Sequence, residues 1–530
     1  MTDLRKIKKY FMIDIILKLR DKKVFKILIP TVLLLANLHM IYLHGRNIKQ
    51  KGINEDVNMV LLPARRVIES GSLENVGLGL AKQAVNLSNF ENLTFPYFFS
   101  SIGPTISFIP IVFFANSPDV TPFFIGQVGF LILFLSIILV LFRKDKITII
   151  TLFLLLLLFT AISNSILSAA SQLQFYILLV VFWKYRFKVY QSTILGPVFI
   201  STMVVFRSES IVLLIGYIIY YLLYKYPLKK IISNSITTFF SFFVVQGLFS
   251  LSVKLLGGLP SSDHISYLLG YRVLEPGWSY AFSTAPTDFG LFLEPINITN
   301  MFKKIVFHFQ ESKFYYRDEI YFLYLTVVVF LFSRKSKKII FDFLILLIFV
   351  FFSTLIFYIG VNASRYYESI YILCFLYLIT NLKSIDFSNF NYKRNLLFLG
   401  CIIFVFICRN PIASFKKQYR NILYYSSSGE KNRVLFANEI KPLIPRDARV
   451  VSRHSEYWTW YCGGTMALTV LNKLEINKEI MSAYNPEALI YFSWGNKPLP
   501  NSASGLKNVK TVLFESTEGY PQIGCYYNDN

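Results

Sequence analysis

Long apolar runs alternate with short polar links along most of this chain. The runs cover residues 24–44, 122–142, 147–162, 169–183, 194–206, 211–224, 231–256, 320–332, 339–360, 366–380 and 396–408. An α-helix of about 20 apolar residues crosses the hydrocarbon core of a bilayer, and the shorter runs approach that length with their polar flanks. The pattern predicts a polytopic α-helical membrane protein with about 11 transmembrane helices.

The polar links decide the orientation of the predicted helices. The links rich in Lys and Arg are residues 143–146, 184–188, 225–230, 334–338 and 383–394. Positive charge is concentrated on the cytoplasmic side of membrane proteins. All of these links fall on the side of the N-terminus, so the N-terminus is predicted to be cytoplasmic. The chain would lie in the plasma (inner) membrane with its C-terminal region outside the cytoplasm.

Two segments need a separate interpretation. Residues 1–23 alternate basic and apolar positions at roughly helical spacing, which predicts an amphipathic segment on the cytoplasmic surface of the membrane. The apolar run 102–115 would invert every later basic link if it crossed the bilayer. We therefore interpret it as a re-entrant or interfacial helix on the outer side.

The composition argues against a nucleic-acid-binding protein. Hydrophobic residues make up 54% of the chain, which is more than a soluble domain with a polar surface carries. The formal net charge of +23 is concentrated in the links between apolar runs, where it orients the helices. We expect membrane lipids, and no nucleic acid, as partners of this charge.

The chain divides into three predicted parts. They are the basic segment 1–23, a transmembrane domain at 24–408 with outer loops 45–101 and 257–319, and an extracytoplasmic domain at 409–530. Strand-like runs at 448–451 and 488–492 predict that the last part is a small α/β or α+β domain. It contains Cys462 and Cys525, for which a disulfide bond and two separate thiols are both open.

An adjacent acidic pair, Glu55 and Asp56, follows the first apolar run on the predicted outer side. Carboxylates beside a membrane need a cation, a metal ion or a reacting proton, which makes the pair a candidate catalytic centre. The alternative is an ordinary solvated helix start. Arg207 and Arg365 lie at the outer ends of later runs, where guanidinium groups bind phosphate or anchor the helix at the lipid headgroups.

The order of these features resembles the GT-C superfamily of polytopic glycosyltransferases. The resemblance rests on the acidic pair and on the segments 64–71, 103–110, 206–211 and 364–368. It is most evident with bacterial relatives of the protein O-mannosyltransferases and of the enzymes that transfer aminoarabinose to lipid A. It extends over nearly the whole chain and includes the closing outer domain.

Members of that superfamily move a sugar from a polyprenyl-phosphate donor to an acceptor outside the cytoplasm, usually with inversion. The resemblance implies that Asp56 deprotonates the acceptor hydroxyl, and that Glu55 orients the acceptor, shares the proton or holds a divalent cation. Arg207, Arg365 and Tyr366 would bind the donor phosphate. The acceptor would be a glycan, a lipid or a protein, and no cofactor beyond such a cation is implied.

Two other functions fit a polytopic chain. A polysaccharide polymerase or ligase of another family also uses outer loops rich in Arg and Tyr. A transporter usually buries charged residues at the bilayer midplane and often has repeated halves, whereas these apolar runs contain few charges and no detectable repeat. An acidic pair early on the outer side favours the transferase.

Overall fold

The computed structural model describes residues 23–73, 102–142, 149–163, 166, 172–257, 317–334, 336–353, 367–385, 392–424, 428–452, 454–469, 484–493, 498–501, 505–514 and 521–528. The α-helices of these residues are α1 (Lys23–Lys51), α2 (Glu55–Ser70), α3 (Ile102–Ala115), α4 (Thr121–Phe142), α5 (Ile149–Ala161), α6 (Gln172–Gln191), α7 (Leu195–Phe206), α8 (Ile215–Leu223), α9 (Leu228–Leu255), α10 (Tyr321–Phe332), α11 (Lys337–Phe352), α12 (Glu368–Asn381), α13 (Tyr392–Cys408), α14 (Pro411–Tyr424) and α15 (Gly429–Ile440). The strands are β1 (Arg449–Ser452), β2 (Met466–Thr469), β3 (Ala488–Ser493), β4 (Asn508–Leu513) and β5 (Gln522–Tyr527). Two 3₁₀ helices, Ser208–Leu214 and Asp318–Ile320, precede α8 and α10, and a π-helical turn, Tyr457–Tyr461, lies between β1 and β2.

Every predicted apolar run falls on a helix. The helices α1, α4, α5, α6, α7, α9, α10, α11, α12 and α13 each overlap one run, and the run 211–224 is shared by a 3₁₀ helix and α8. The predicted re-entrant run 102–115 is α3. The helical character of these runs is therefore as predicted. In a bilayer, a long apolar run must satisfy its backbone hydrogen bonds within itself, and the α-helix does so.

Three stretches of the described chain are long and apolar enough to cross a membrane, namely α4, α9 and the region Arg394–Ile440. Other apolar helices, including α3 and α7, are shorter. These helices agree with a membrane protein, and the larger number of 11 spans stays a prediction. Residues 1–22 and 258–316, which hold most of the predicted cytoplasmic segment and of the second outer loop, lie outside the described residues.

The helix bundle has two ends that differ in their contacts. At one end, which we call the α2 end, Gln174 of α6 donates to Ser107 of α3 at 3.2 Å, and Tyr176 donates to Glu368 of α12 at 3.2 Å. At the opposite end, which we call the basic end, Lys338 lies over the ring of Phe187 at 5.6 Å. Basic links that the sequence assigns to one side of the membrane therefore meet at one end of the bundle.

A buried ion pair fastens three helices near the basic end. Arg186 of α6 forms a two-pronged pair with Asp342 of α11, and both side chains are almost fully buried. Asn381 of α12 also donates to Asp342, at 3.2 Å. The ring nitrogen of Trp183 donates to Thr380 at 3.3 Å. Burial of charge is tolerated here because each ion has a partner of opposite charge and further hydrogen bonds.

The short helix α3 packs at the centre of the α2 end. It contacts α2, α4, α6 and α7. Two glycines permit this close approach: a methyl group at Gly103 of α3 would lie 2.8 Å from the ring of Phe206, and one at Gly126 of α4 would overlap the ring of Phe108. Aromatic rings therefore fill the space that larger residues would occupy, and α3 is held between α4 and α7.

The C-terminal region forms a mixed five-stranded sheet in the order β2-β1-β3-β5-β4. The strand β1 is parallel to β2 and β3, whereas β5 is antiparallel to β3 and β4. The predicted strands at 448–451 and 488–492 are confirmed as β1 and β3. Phe436 of α15 meets the ring of Tyr457 edge to face at 5.3 Å, which packs the helix onto the π-helical turn beside the sheet.

Gly126→Ala should destabilise the protein, because the added methyl group must displace the Phe108 ring and with it α3. Overpacking of this kind costs about 1–3 kcal/mol. The matched control is Gly129→Ala on the same helix, where a methyl group meets no atom within 4 Å. Thermal unfolding of the purified protein in detergent measures both. Equal unfolding midpoints for the two variants would contradict the proposed role of Gly126.

Candidate functional site

The acidic pair lies in the first turn of α2. The helix begins at Glu55, and the side chain of its N-cap residue Asn54 accepts a hydrogen bond from the Val57 amide at 2.9 Å. Carboxylates in a first turn are stabilised by the helix dipole, so the position of the pair also agrees with an ordinary helix start. Asp56 is half-buried, and the side chain of Glu55 lies outside what the structure describes. A catalytic role for Asp56 stays a prediction, and its support must come from the groups around α2.

The C-terminal domain holds α2 through its π-helical turn. The guanidinium of Arg65 stacks on the Trp460 ring at 3.6 Å and donates to the carbonyl of Ser117 at 3.0 Å. Burial lowers the pKa of Arg65 to about 10, which still leaves it charged at neutral pH. About two turns earlier, Asn58 donates to Thr459 at 2.9 Å, with both residues buried. The rotation of α2 about its axis is thereby fixed on one side.

A second contact joins the start of α2 to the same turn. The Tyr461 hydroxyl accepts from the Ile53 amide at 2.7 Å and donates to the carboxylate of Glu430 on α15. Glu430 also accepts from the Val120 amide at 2.9 Å, just before α4. Burial raises the pKa of Glu430, although its hydrogen bonds from Tyr461 and Val120 act in the opposite direction. One half-buried carboxylate thus connects α15, the turn before α2 and the turn before α4.

Arg207 reaches the α2 end through α3. A small apolar cluster contains Leu62 of α2, Ile102 of α3 and Val205 of α7, which brings the end of α7 beside α2. Arg207 directly follows α7 and pairs with Glu209 at 2.7 Å. Asp56 and Arg207 therefore lie on elements that pack on the same short helix.

A further polar cluster at the α2 end consists of Tyr176, Arg317, Glu319, Glu368 and Tyr371. Arg317 pairs with Glu319 at 3.2 Å, and Tyr176 donates to the fully buried Glu368. Burial lowers the pKa of Arg317, but Tyr371, Glu319 and Glu368 outweigh it, so the guanidinium stays charged. This polar cluster supplies a fixed cation among carboxylates and hydroxyls, which is the composition of a site for a polar ligand.

Arg317 was missed by the sequence analysis. It precedes the apolar run that begins at residue 320, so it meets the same criterion as Arg207 and Arg365, an arginine at the outer end of a run. Arg317 lies at the end of a long polar segment, and for that reason it was not recognised as an arginine at the end of an apolar run. Tyr176 carries no such signal, because it lies inside an apolar run and meets Glu368 only through the packing of α6 on α12.

Arg365 and Tyr366 lie outside the described residues. They come just before the buried Tyr367 and Glu368, at which α12 begins at the α2 end. Their role in binding the donor phosphate stays a prediction. The structure thus brings the elements that bear Asp56 and Arg207 together, and it adds Arg317 and Glu368 at the same end of the bundle.

The predicted cation site of Glu55 and Asp56 stays a prediction, because the side chain of Glu55 lies outside what the structure describes. Among the residues that the structure describes, no group of three or more His, Cys, Asp or Glu side chains is arranged to hold a metal ion. Cys462 and Cys525 are buried free thiols, and burial raises the pKa of Cys462 to about 12. Of the two alternatives left open by the sequence, the structure therefore has the separate thiols, in an unreactive protonated state.

Comparison with known proteins adds no family. Neither a protein-family model nor a curated protein matches this chain.

Arg207→Gln should destabilise the protein, because it leaves the buried carboxylate of Glu209 without this cation. The expected cost is about 1–3 kcal/mol. The double variant Arg207→Gln with Glu209→Gln removes both charges and should recover most of that stability. Thermal unfolding in detergent measures the difference. If the single variant is as stable as the double variant, the ion pair does not hold the end of α7, and the argument for a positioned Arg207 fails.

Proposed function

We propose that this protein is a glycosyltransferase that moves a sugar from a polyprenyl-phosphate donor to an acceptor outside the cytoplasm. The observation that carries the proposal is the packing of α2, α7 and α6 around α3, which gathers a carboxylate helix and several arginines at one end of the bundle. A phosphate-linked sugar needs both kinds of group within one site. The α2 end would face the outside of the plasma (inner) membrane, and the basic end the cytoplasm.

The reaction asks one group to accept a proton. In the proposed step, the acceptor oxygen forms a bond to C1 of the sugar while Asp56 takes the proton of the acceptor hydroxyl. The bond between C1 and the carrier phosphate breaks, and the phosphate leaves with the electron pair. Attack from the face opposite the leaving group inverts the configuration at C1. The half-buried position of Asp56 in the first turn of α2 supports this role, because the helix dipole favours a negatively charged group at that position.

The leaving phosphate gains negative charge, which arginine side chains stabilise. Arg207, with Arg365 and Tyr366 as predicted from the sequence, would bind the phosphate of the donor. In the structure Arg207 pairs with Glu209. When the donor enters, the phosphate oxygens would replace the Glu209 carboxylate as the partner of Arg207. Arg317 extends this set, since it has the same kind of carboxylate partner in Glu319 at the same end of the bundle.

Glu55 has a supporting role in the proposal. It would orient the acceptor hydroxyl or share its proton, or it would hold a divalent cation together with Asp56. These alternatives differ in one measurement. If Glu55 acts by hydrogen bonding alone, neither a chelator nor added Mg²⁺ or Mn²⁺ should change the transfer rate. If Glu55 and Asp56 hold a cation, the chelator should abolish transfer and the added cation should restore it.

Asp56→Asn should lower the transfer rate by about 10²–10⁴, because the amide cannot accept the proton. The measurement is transfer of labelled sugar by the purified full chain from a panel of polyprenyl-phosphate sugars. Asp318→Asn is the matched control: this half-exposed carboxylate lies at the same end of the bundle, with only a long contact of 3.9 Å to Lys417. It should keep full activity.

The outcome is informative only for folded protein, so membrane insertion and the thermal midpoint of each variant are measured in parallel. Full activity of a folded Asp56→Asn protein would exclude Asp56 as the base. Absence of transfer from every donor in the panel by the unmodified protein would contradict the proposed function itself.

A further inference from the structure

A half-open cavity of about 690 Å³ lies in the C-terminal domain. Its walls come from the edge of the sheet at which the parallel strands begin: Arg446 precedes β1, Cys462 precedes β2 and Glu487 precedes β3. The antiparallel strand β5 ends at the same edge and contributes Tyr527, with Asn528 beyond it. The cavity therefore belongs to the framework of the sheet and is not formed by a single loop.

One residue of the cavity wall, Arg446, connects the cavity to α2. Arg446 donates to the carbonyl of Gly463 at 2.7 Å and pairs with Glu69, on the last turn of α2, at 3.3 Å. The neighbouring Arg66 of α2 donates to the carbonyl of Thr465 at 3.1 Å. A molecule in the cavity would therefore be separated by Arg446 from the C-terminal end of α2, the helix whose first turn carries Asp56.

The charge around the cavity is positive. Of the nearby carboxylates, Glu487 is engaged by Arg449 at 3.1 Å, and Glu69 by Arg66 and Arg446 at 3.3 Å each. The remaining charge on the wall is Lys441, which is exposed at the end of α15 and forms no ion pair with a described residue. Among the described residues, no carboxylate lies within ion-pair distance of this ammonium group, so an anion in the cavity could pair with it.

The uncharged part of the wall suits a hydroxylated ring. Tyr527 and Asn528 offer an aromatic face, a hydroxyl and an amide, while Pro442 and Leu443 add apolar surface beside Lys441. Sugar-binding sites combine such a face with a few polar groups. The cavity therefore has the parts to bind a ring and a charge together, and the ammonium group favours a negative one.

We propose that this cavity binds an anionic saccharide, a sugar ring that carries a phosphate or a carboxylate group. On the basis of the proposed function, the cavity is a remote subsite for the acceptor. Asp56 lies 13 residues before Glu69 on α2, which is about 20 Å at the helical rise. The bound sugar is therefore a part of the acceptor distant from the reacting hydroxyl, and the C-terminal domain selects acceptors by their charge.

The test is equilibrium binding of small probes to the purified full chain in detergent. Glucose 6-phosphate and glucuronate carry the two candidate charges on one ring, and glucose is the uncharged match. We expect saturable binding of at least one charged probe, at least about tenfold tighter than glucose, with an affinity that falls as salt is added. Preference for one charged probe identifies the anionic group.

The key variant is Lys441→Gln, which should weaken binding of the charged probe at least about tenfold and leave glucose unaffected. Lys441→Arg, which keeps the charge, should retain binding. The matched control is Lys416→Gln, an exposed lysine on α14 away from the cavity, which should bind as the unmodified protein does. Unchanged thermal midpoints separate the loss of binding from a loss of structure at the end of α15.

Three results would overturn the proposal: no charged probe binds below about 10 mM, glucose binds equally well, or Lys441→Gln binds the charged probe unchanged. The Asp56→Asn variant distinguishes this proposal from the proposed function. It should bind the charged probe normally while it fails in sugar transfer. Normal probe binding by an unmodified protein that transfers no sugar would support the saccharide site and contradict only its assignment as an acceptor subsite.

Discussion

The α2 end of the molecule depends on one packing constraint, the enclosure of the short helix α3. Its 14 residues extend about 21 Å, which is less than the roughly 30 Å of a bilayer core, so α3 by itself is too short to span. It is held by close approach of backbone to aromatic ring at Gly103 and Gly126. Because α2, α4, α6 and α7 all contact α3, its position sets the distances among the groups that these helices carry.

The ion pairs at the two ends of the bundle differ in their exposure. At the basic end, Arg186 and Asp342 exclude solvent almost completely, and such a pair stabilises one arrangement of helices without offering a binding site. At the α2 end, the side chains of Arg207 and Arg317 keep 13% and 16% of their surface exposed, so a ligand can reach them. Asp342 also lies only five residues after the first residue of α11, and therefore near the N-terminal end of that helix. This distribution argues against a transporter that carries its charges at mid-bundle.

Local sequence pattern was sufficient for the apolar helices and for two of the five strands, and it was insufficient for the contacts among them. The apolar runs located the helices because a chain in hydrocarbon must satisfy its backbone within each segment. The strands β1 and β3 could be predicted for a similar reason, as short β-rich runs between turn residues. The residues Arg207 and Glu209 are only two positions apart, so their pairing is also a local contact that a sequence pattern can indicate.

The contacts that build the site join residues far apart in the chain. Tyr176 meets Glu368 and Asn58 meets Thr459, across 192 and 401 positions respectively. No periodicity or motif spacing encodes such pairs, because they arise only when whole helices pack together. The acidic pair Glu55 and Asp56 shows that a residue can be located from the sequence although its role cannot. Its presence was evident from the sequence, but its place in a first turn gives it a structural reason to exist that the sequence could not separate from catalysis.

The contacts of α2 suggest why a soluble-type domain closes a chain of apolar helices. A helix of 16 residues gains little stability from its own hydrogen bonds, so its orientation must come from packing, on α3 at one side and on the C-terminal domain at another. Arg65 on Trp460, Asn58 on Thr459 and the Ile53 amide on Tyr461 supply that packing from the C-terminal domain. A reacting carboxylate must be held to within about 0.5 Å of its productive position. In the proposed function, the C-terminal domain would thus contribute to catalysis through α2, and a ligand that shifts this domain would change the position of Asp56.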